Sequence, residues 1–184
     1  MYSYIGDISK IAQNIILNYV KNKNIGVDCT LGNGHDSDFL KSNFKKVYSF
    51  DIQKSACEKY SNNNYDNVIV INDSHSEIIK FIEEKNVDVI MYNLGFLPGS
   101  SNKSITTTYD TTIKSIEEGL KILSPGGIMT ICIYIGHDEG IKEESCIMEF
   151  VKKLPKNKFA VMEHKFLNRS NLAPKLIIIE KNNI

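Results

Sequence analysis

Apolar residues along this chain alternate between a helical spacing and short unbroken runs. Ile8, Ile11, Ile15, Ile16 and Tyr19 recur every three or four positions, which predicts a helix over 8–20. Short β-prone runs stand at 26–29, 47–50, 68–71, 87–92 and 128–135. Helical patterns separate them at 36–44, 54–60, 77–84 and 110–123, and a further helix is predicted at 143–154. In the helix 110–123 the residues Ile113, Ile116, Leu120 and Leu123 share one side; Ser124-Pro125-Gly126-Gly127 then stops it and turns the chain into a strand. A loop rich in Gly, Ser, Asn and Thr is predicted at 95–108. Nearly all-apolar strands alternating with helices predict a parallel sheet covered on both faces.

The last two β-prone runs, 159–166 and 175–179, have no helix between them. The intervening segment, 167–174, is too short for a right-handed helical crossover, so the final strand must pair antiparallel. The expected fold is α/β: a doubly wound, Rossmann-like, seven-stranded sheet, mostly parallel, with an antiparallel C-terminal hairpin. That is the arrangement of class I methyltransferases, whereas a nicotinamide-binding domain would continue in parallel. Nothing in the sequence suggests a second domain, so 1–184 is expected to form one.

Composition adds little. The 42% hydrophobic and 24% charged residues are those of an ordinary globular protein, and the formal net charge is zero. No apolar run is long enough to span a membrane, and the first ten residues lack the basic and apolar regions of a secretory signal. A cytoplasmic protein with no membrane partner is expected. Cys29, Cys57, Cys132 and Cys146 are scattered with no Cys-x-x-Cys pair, so they are expected to be reduced thiols, with no metal site. Of the 22 Lys and Arg residues only Arg169 is an arginine.

Candidate chemistry gathers at strand ends. The first strand runs into Val27-Asp28-Cys29-Thr30-Leu31-Gly32-Asn33-Gly34-His35-Asp36, a turn whose glycines let a ligand approach the backbone. The second ends in Asp51, where an acidic side chain can accept both ribose hydroxyls of a nucleoside; the alternative is a cap for the helix near Lys54. The third glycine of the dinucleotide fingerprint is replaced by Ser37, and Asp36 would compete with a pyrophosphate for the helix N-terminus. A carboxylate there suits the sulfonium and ammonium of S-adenosylmethionine. Asn72-Asp73-Ser74-His75 follows the third strand, where this architecture holds adenine: Ser74 and His75 can bond the base and Asp73 its exocyclic amine.

After the fourth strand, Asn93 can accept an N–H bond and point a target nitrogen at the sulfonium methyl, with a purely structural turn as the alternative. Phe96 can either stack on a flipped base or pack in the core. The segment Asn93-Leu94-Gly95-Phe96 departs from the amino-methyltransferase motif Asn-Pro-Pro-Tyr at its two central positions. A protonated amine must lose its proton before it attacks; Tyr134, Asp110 and His137 are candidate helpers.

These residues resemble a known family, the tRNA 5-aminomethyluridine methyltransferases, bacterial proteins earlier labelled rRNA methylases. The resemblance covers nearly the whole chain. It is carried by 28–37, Phe50-Asp51-Ile52-Gln53, Asn93-Leu94-Gly95-Phe96-Leu97-Pro98-Gly99, Thr111-Thr112, Pro125-Gly126-Gly127, Tyr134-Ile135-Gly136-His137, Asn168-Arg169-Ser170-Asn171 and Ile179-Glu180-Lys181. It implies S-adenosylmethionine contacts at Asn33, Asp36, Asp51, Gln53, Ser74 and His75, and methylation of the 5-aminomethyl nitrogen of wobble uridine 34. Gly32 of the glycine turn joins the expected cofactor set, and Asn93 and Tyr134 are the expected catalytic residues. The chain departs from the family pattern at Ser37, Ala173, Arg169 and Asp138-Glu139-Gly140; the last two lie in loops expected to meet RNA.

A tRNA anticodon loop as partner calls for local positive charge. Lys152, Lys153, Lys156, Lys158, Lys165, Arg169 and Lys175 fall together near the C-terminus, with Lys103 in the long loop, and a solvated lysine-rich face is the plain alternative. A homodimer is left open. The competing readings are a methyltransferase for rRNA or a small molecule, and a non-catalytic RNA-binding module with this fold.

Overall fold

The structure is a computed structural model that describes residues 2, 4–95, 107–136 and 138–183. Its strands are β1 Ile25–Asp28, β2 Lys46–Phe50, β3 Val68–Ile71, β4 Val87–Asn93, β5 Leu123–Ile133, β6 Phe159–His164 and β7 Lys175–Lys181. They form one sheet in the order β3-β2-β1-β4-β5-β7-β6. The first five strands are parallel, and β7 pairs antiparallel with both β5 and β6. The short β6–β7 connection dictates that closing hairpin.

The helices are α1 Ile8–Tyr19, α2 His35–Asn43, α3 Lys54–Ser61, α4 Ile78–Phe81, α5 Tyr109–Ile122 and α6 Asp138–Lys152. Two apolar layers result. Ile8, Ile11, Ala12 and Ile16 of α1 and Leu40 of α2 pack with Val47, Val89, Met91, Leu176 and Ile178. Ile116 and Leu120 of α5 and Ile147 and Val151 of α6 pack with Val27, Ile90, Tyr92, Ile177 and Ile179. Neighbouring residues of β7 thus serve opposite layers, as the two-residue period of a strand requires.

Three boundaries differ from the sequence reading. The helix expected at 77–84 is a 3₁₀ turn, His75–Glu77, capped by Ser74, followed by the single turn of α4. The Ser124-Pro125-Gly126-Gly127 stop lies inside β5 as a bulge: Val87 pairs with Leu123 and Val89 with Ile128. Gly126 takes a positive φ of 71° there, and a side chain on Gly127 would press on the Ser124 carbonyl. Helix α6 starts five residues ahead of position 143, because tertiary packing overrides the turn signal of Gly140.

The described cysteines are free, with Cys29, Cys57 and Cys132 buried. No described helix is long and apolar enough to cross a membrane. All five parallel strands end at one edge of the sheet, and their order reverses between β1 and β4. Neighbouring crossovers leave the sheet on opposite faces at that point, which opens a crevice.

Candidate active site

The crevice holds a cavity of about 600 Å³. Gly32, Asn33 and Asp36 enter it from the β1–α2 turn, Asp51 and Gln53 from the end of β2, and Ser74 and His75 from the end of β3. Asn93 comes from β4 and Tyr134 follows β5. These nine residues, expected from sequence to bind cofactor or act in catalysis, therefore line one cavity.

The β1–α2 turn is built on two left-handed glycines, Gly32 (φ 50°) and Gly34 (φ 86°). A side chain on Gly34 would run into the Tyr60 ring. Asp51 ties this turn to β2: its Oδ2 accepts the Gly32 N–H at 2.8 Å and its Oδ1 accepts the Gln53 N–H at 2.8 Å. Both carboxylate oxygens are thereby oriented, and each keeps a further lone pair. The N-cap of α3 is Gln53 and not Asp51.

Beneath the turn, Asp28 is fully buried. Its Oδ1 accepts the Thr30 N–H at 2.9 Å and its Oδ2 accepts the Ser37 hydroxyl at 2.6 Å, which also meets Ser49 at 2.7 Å. Burial, and then the charge of Asp36, push the Asp28 carboxyl up to about 7. Between roughly pH 4 and that value the folded protein holds a proton that the unfolded chain has released. The stability this group contributes is therefore full below about pH 4 and is lost as pH rises toward 7. In Asp28→Asn the amide oxygen still serves Thr30 and the amide nitrogen serves Ser37, so the Tm of the variant relative to the parent should climb from about pH 4.5 to 7. A constant difference in thermal melts across that range would refute a buried, protonated Asp28.

Asp36 lines the cavity and is itself buried. Its Oδ1 accepts from Gln13 Nε2 at 2.8 Å, and its Oδ2 accepts from Asn93 Nδ2 at 3.5 Å. Burial raises its proton affinity, and those two bonds lower it in part. Asn93 also approaches Ser9 Oγ at 3.4 Å, and its backbone N–H is fixed by Thr30 Oγ1 at 2.8 Å. Tyr134 stands nearby, 37% exposed, its hydroxyl pushed up to about 12 by burial with an opposing hydrogen bond from Ser9. A hydroxyl raised in this way is protonated near neutral pH and can donate a hydrogen bond. Asp110 is fully exposed, does not line the cavity, and is held low by Thr108, which removes it from the proton-accepting candidates. His137, Phe96 and Lys103 lie outside the described residues.

At the β3 end, Ser74 Oγ accepts the Ser76 N–H at 3.2 Å, and Asp73 Oδ1 accepts the Ser74 N–H at 2.7 Å. Burial lowers the His75 imidazole to about 4, so it is neutral, and its ring meets Tyr92 edge-on at 5.9 Å. Its Nδ1 is buried with no hydrogen-bond partner among the described residues.

The chemistry of the lining tests what the cavity can hold. Asp36, Asp51 and Asp73 contribute carboxylates, and no lysine or arginine lines it among the described residues. A phosphate-bearing cofactor would lack a counter-ion. A nucleoside carrying a sulfonium and an ammonium has acceptors for its charges, and Leu31, Phe50, Ile52 and Leu94 supply apolar walls.

Sequence reasoning missed the part of α1. Ser9 and Gln13 reach Asn93 and Asp36 from a helix read only as amphipathic. The available signal was Gln13 itself, a polar residue on the buried side between Ala12 and Ile16. The basic residues grouped by sequence also divide in space. Phe159 pairs with Lys181 at one end of β6 and His164 with Leu176 at the other, roughly 17 Å apart at the usual strand rise. Lys152, Lys153, Lys156 and Lys158 belong to the end remote from the cavity. Lys165, Arg169 and Lys175 lie at the cavity end, and Lys175 is engaged by Glu144 at 2.6 Å and Glu163 at 3.7 Å.

Residues 47–180 match the protein family described as "Putative rRNA methylase". A crystal structure from Clostridium thermocellum described as "putative rRNA-methylase" superposes with a TM-score of 0.89 at 36% identity, covering 96% of this chain and 98% of that one. A Streptococcus mutans structure, described as a "putative methyltransferase" in complex with SAH, superposes with a TM-score of 0.85 at 35% identity, over 96% and 99%. The Arabidopsis thaliana protein named tRNA (mnm(5)s(2)U34)-methyltransferase, chloroplastic, is 34% identical over 84% of this chain, which spans 62% of that relative's length.

Proposed function

The chain belongs to the rRNA methylase family matched over 47–180, and from that premise we propose that it N-methylates the 5-aminomethyl group of uridine 34 in the anticodon loop of tRNA, giving 5-methylaminomethyluridine. It is an S-adenosylmethionine-dependent methyltransferase directed at RNA. The observation that carries the finer reading is the placement of Asn93, an amide held between Asp36 and Ser9 at the open end of an acid-lined cavity.

Asp51 would hold the ribose hydroxyls, Ser74 and His75 the adenine side, and Asp36 the positively charged end, with Gly32, Asn33 and Gln53 contributing backbone and polar contacts. When bound, S-adenosylmethionine supplies an electrophilic methyl: the amine lone pair forms the C–N bond, the S–C electron pair returns to sulfur, and one proton leaves the nitrogen. Asn93 orients the amine for that in-line attack. Tyr134 donates a hydrogen bond beside it. Asp36, with its raised proton affinity, is the carboxylate next to Asn93 and the nearest described acceptor for the proton.

The test is nucleoside mass spectrometry of tRNA from a strain lacking the protein. Accumulated 5-aminomethyluridine with loss of its methylated product is the expected result. An unchanged tRNA profile would sink the wobble assignment, and a methyl group lost from rRNA instead would move the substrate there.

A further inference from the structure

A smaller cavity of about 290 Å³ adjoins the first and shares Tyr134 as a wall. Asp7 and Ile8, at the start of α1, form one side; Phe166, Arg169 and Pro174, from the β6–β7 connection, form the other. This chain meets nearly every need for positive charge with lysine, yet here it places its single arginine. The Arg169 guanidinium lies 3.7 Å over the Phe166 ring. No described carboxylate forms an ion pair with it. A guanidinium already stacked loses little freedom on binding and keeps its planar fork of N–H donors for a phosphate, which an ammonium cannot imitate.

Opposite stands Asp7, whose Oδ1 caps α1 by accepting the Ser9 N–H at 2.8 Å. Its charge is felt at both Tyr134 and Asp36. The cavity therefore carries one carboxylate, Asp7, whose charge reaches the site around Asp36, and one guanidinium, Arg169. A nucleotide with an amine on its base and a phosphate on its sugar carries the complementary pair.

We propose that this cavity seats the nucleotide being methylated, with Arg169 gripping an RNA backbone phosphate and Asp7 drawing the target ammonium toward Asn93. The inference rests on the wobble-amine reading above and adds two binding residues from opposite ends of the chain.

Fluorescence anisotropy of the full chain with S-adenosylhomocysteine present provides the test, using anticodon stem-loops that carry either uridine or 5-aminomethyluridine at the wobble position. Arg169→Lys keeps the charge and should weaken both RNAs by about tenfold. Asp7→Asn keeps the cap, since Asn caps helices as well as Asp, and should weaken only the amine-bearing RNA, by about fivefold. Calorimetric affinity for S-adenosylmethionine should be unchanged in both. Undiminished RNA binding by Arg169→Lys overturns the phosphate grip, and an equal loss on the two RNAs in Asp7→Asn overturns the ammonium role. If the parent protein itself binds the two RNAs equally, the wobble-amine reading falls and takes Asp7's role with it, while the lysine variant still decides Arg169.

Discussion

Asp51→Ala is expected to weaken S-adenosylmethionine binding by about a hundredfold or more, measured by titration calorimetry. On the proposed ribose assignment two charge-assisted hydrogen bonds are lost, each contributing roughly 1.5–3 kcal/mol. The damage extends to the protein, because the same carboxylate fixes the turn on both sides, at the Gly32 and Gln53 N–H groups. Leaving the Gly32 N–H without its acceptor loosens a turn whose two left-handed glycines must hold a set shape. Asp51→Asn keeps one acceptor oxygen, so it loses the charge and one of the two backbone bonds, to Gly32 or to Gln53, and a smaller loss, about tenfold, is expected. Unaltered affinity in Asp51→Ala would refute the ribose assignment.

Asn93→Ala should reduce kcat by about a hundredfold while leaving the affinity for S-adenosylmethionine within about threefold. The side chain can be removed without moving the strand end. The Asn93 N–H is held by Thr30 and the next one, at Leu94, by the Cys132 carbonyl, so neither bond involves the amide being truncated. Its contacts to Asp36 and Ser9 are long, and Asp36 retains the shorter bond from Gln13. What disappears, on the proposed mechanism, is the group that directs the target nitrogen, an effect confined to the reacting complex. Single-turnover kinetics beside calorimetry decides the matter: equal losses in rate and in cofactor affinity would assign Asn93 to cofactor binding instead.

Much of this architecture is legible in one dimension because the information is local. The apolar runs at 68–71 and 87–92 read as strands from residue type and length alone, although only the second is buried and β3 lies half-exposed at the sheet edge. The brief 167–174 connection forces the antiparallel hairpin. Glycines and carboxylates directly after strands are also visible, and parallel strands necessarily deliver their ends to one edge. For that reason the residues Gly32, Asn33, Asp51 and Ser74 meet around one cavity although nothing in the sequence states a distance between them.

Local periodicity by itself determined the strands, the hairpin and the ring of strand-end residues. Tertiary structure alone decided the rest. Ser9 reaches Asn93 across 84 positions, and Asp7 lines the same small cavity as Arg169 from the other end of the chain. The lysines that crowd together in sequence part to opposite ends of β6. Asp28 gains its proton affinity from complete burial beside Asp36. Each of these depends on how elements dock and on the water they exclude, and no spacing within a single segment encodes either.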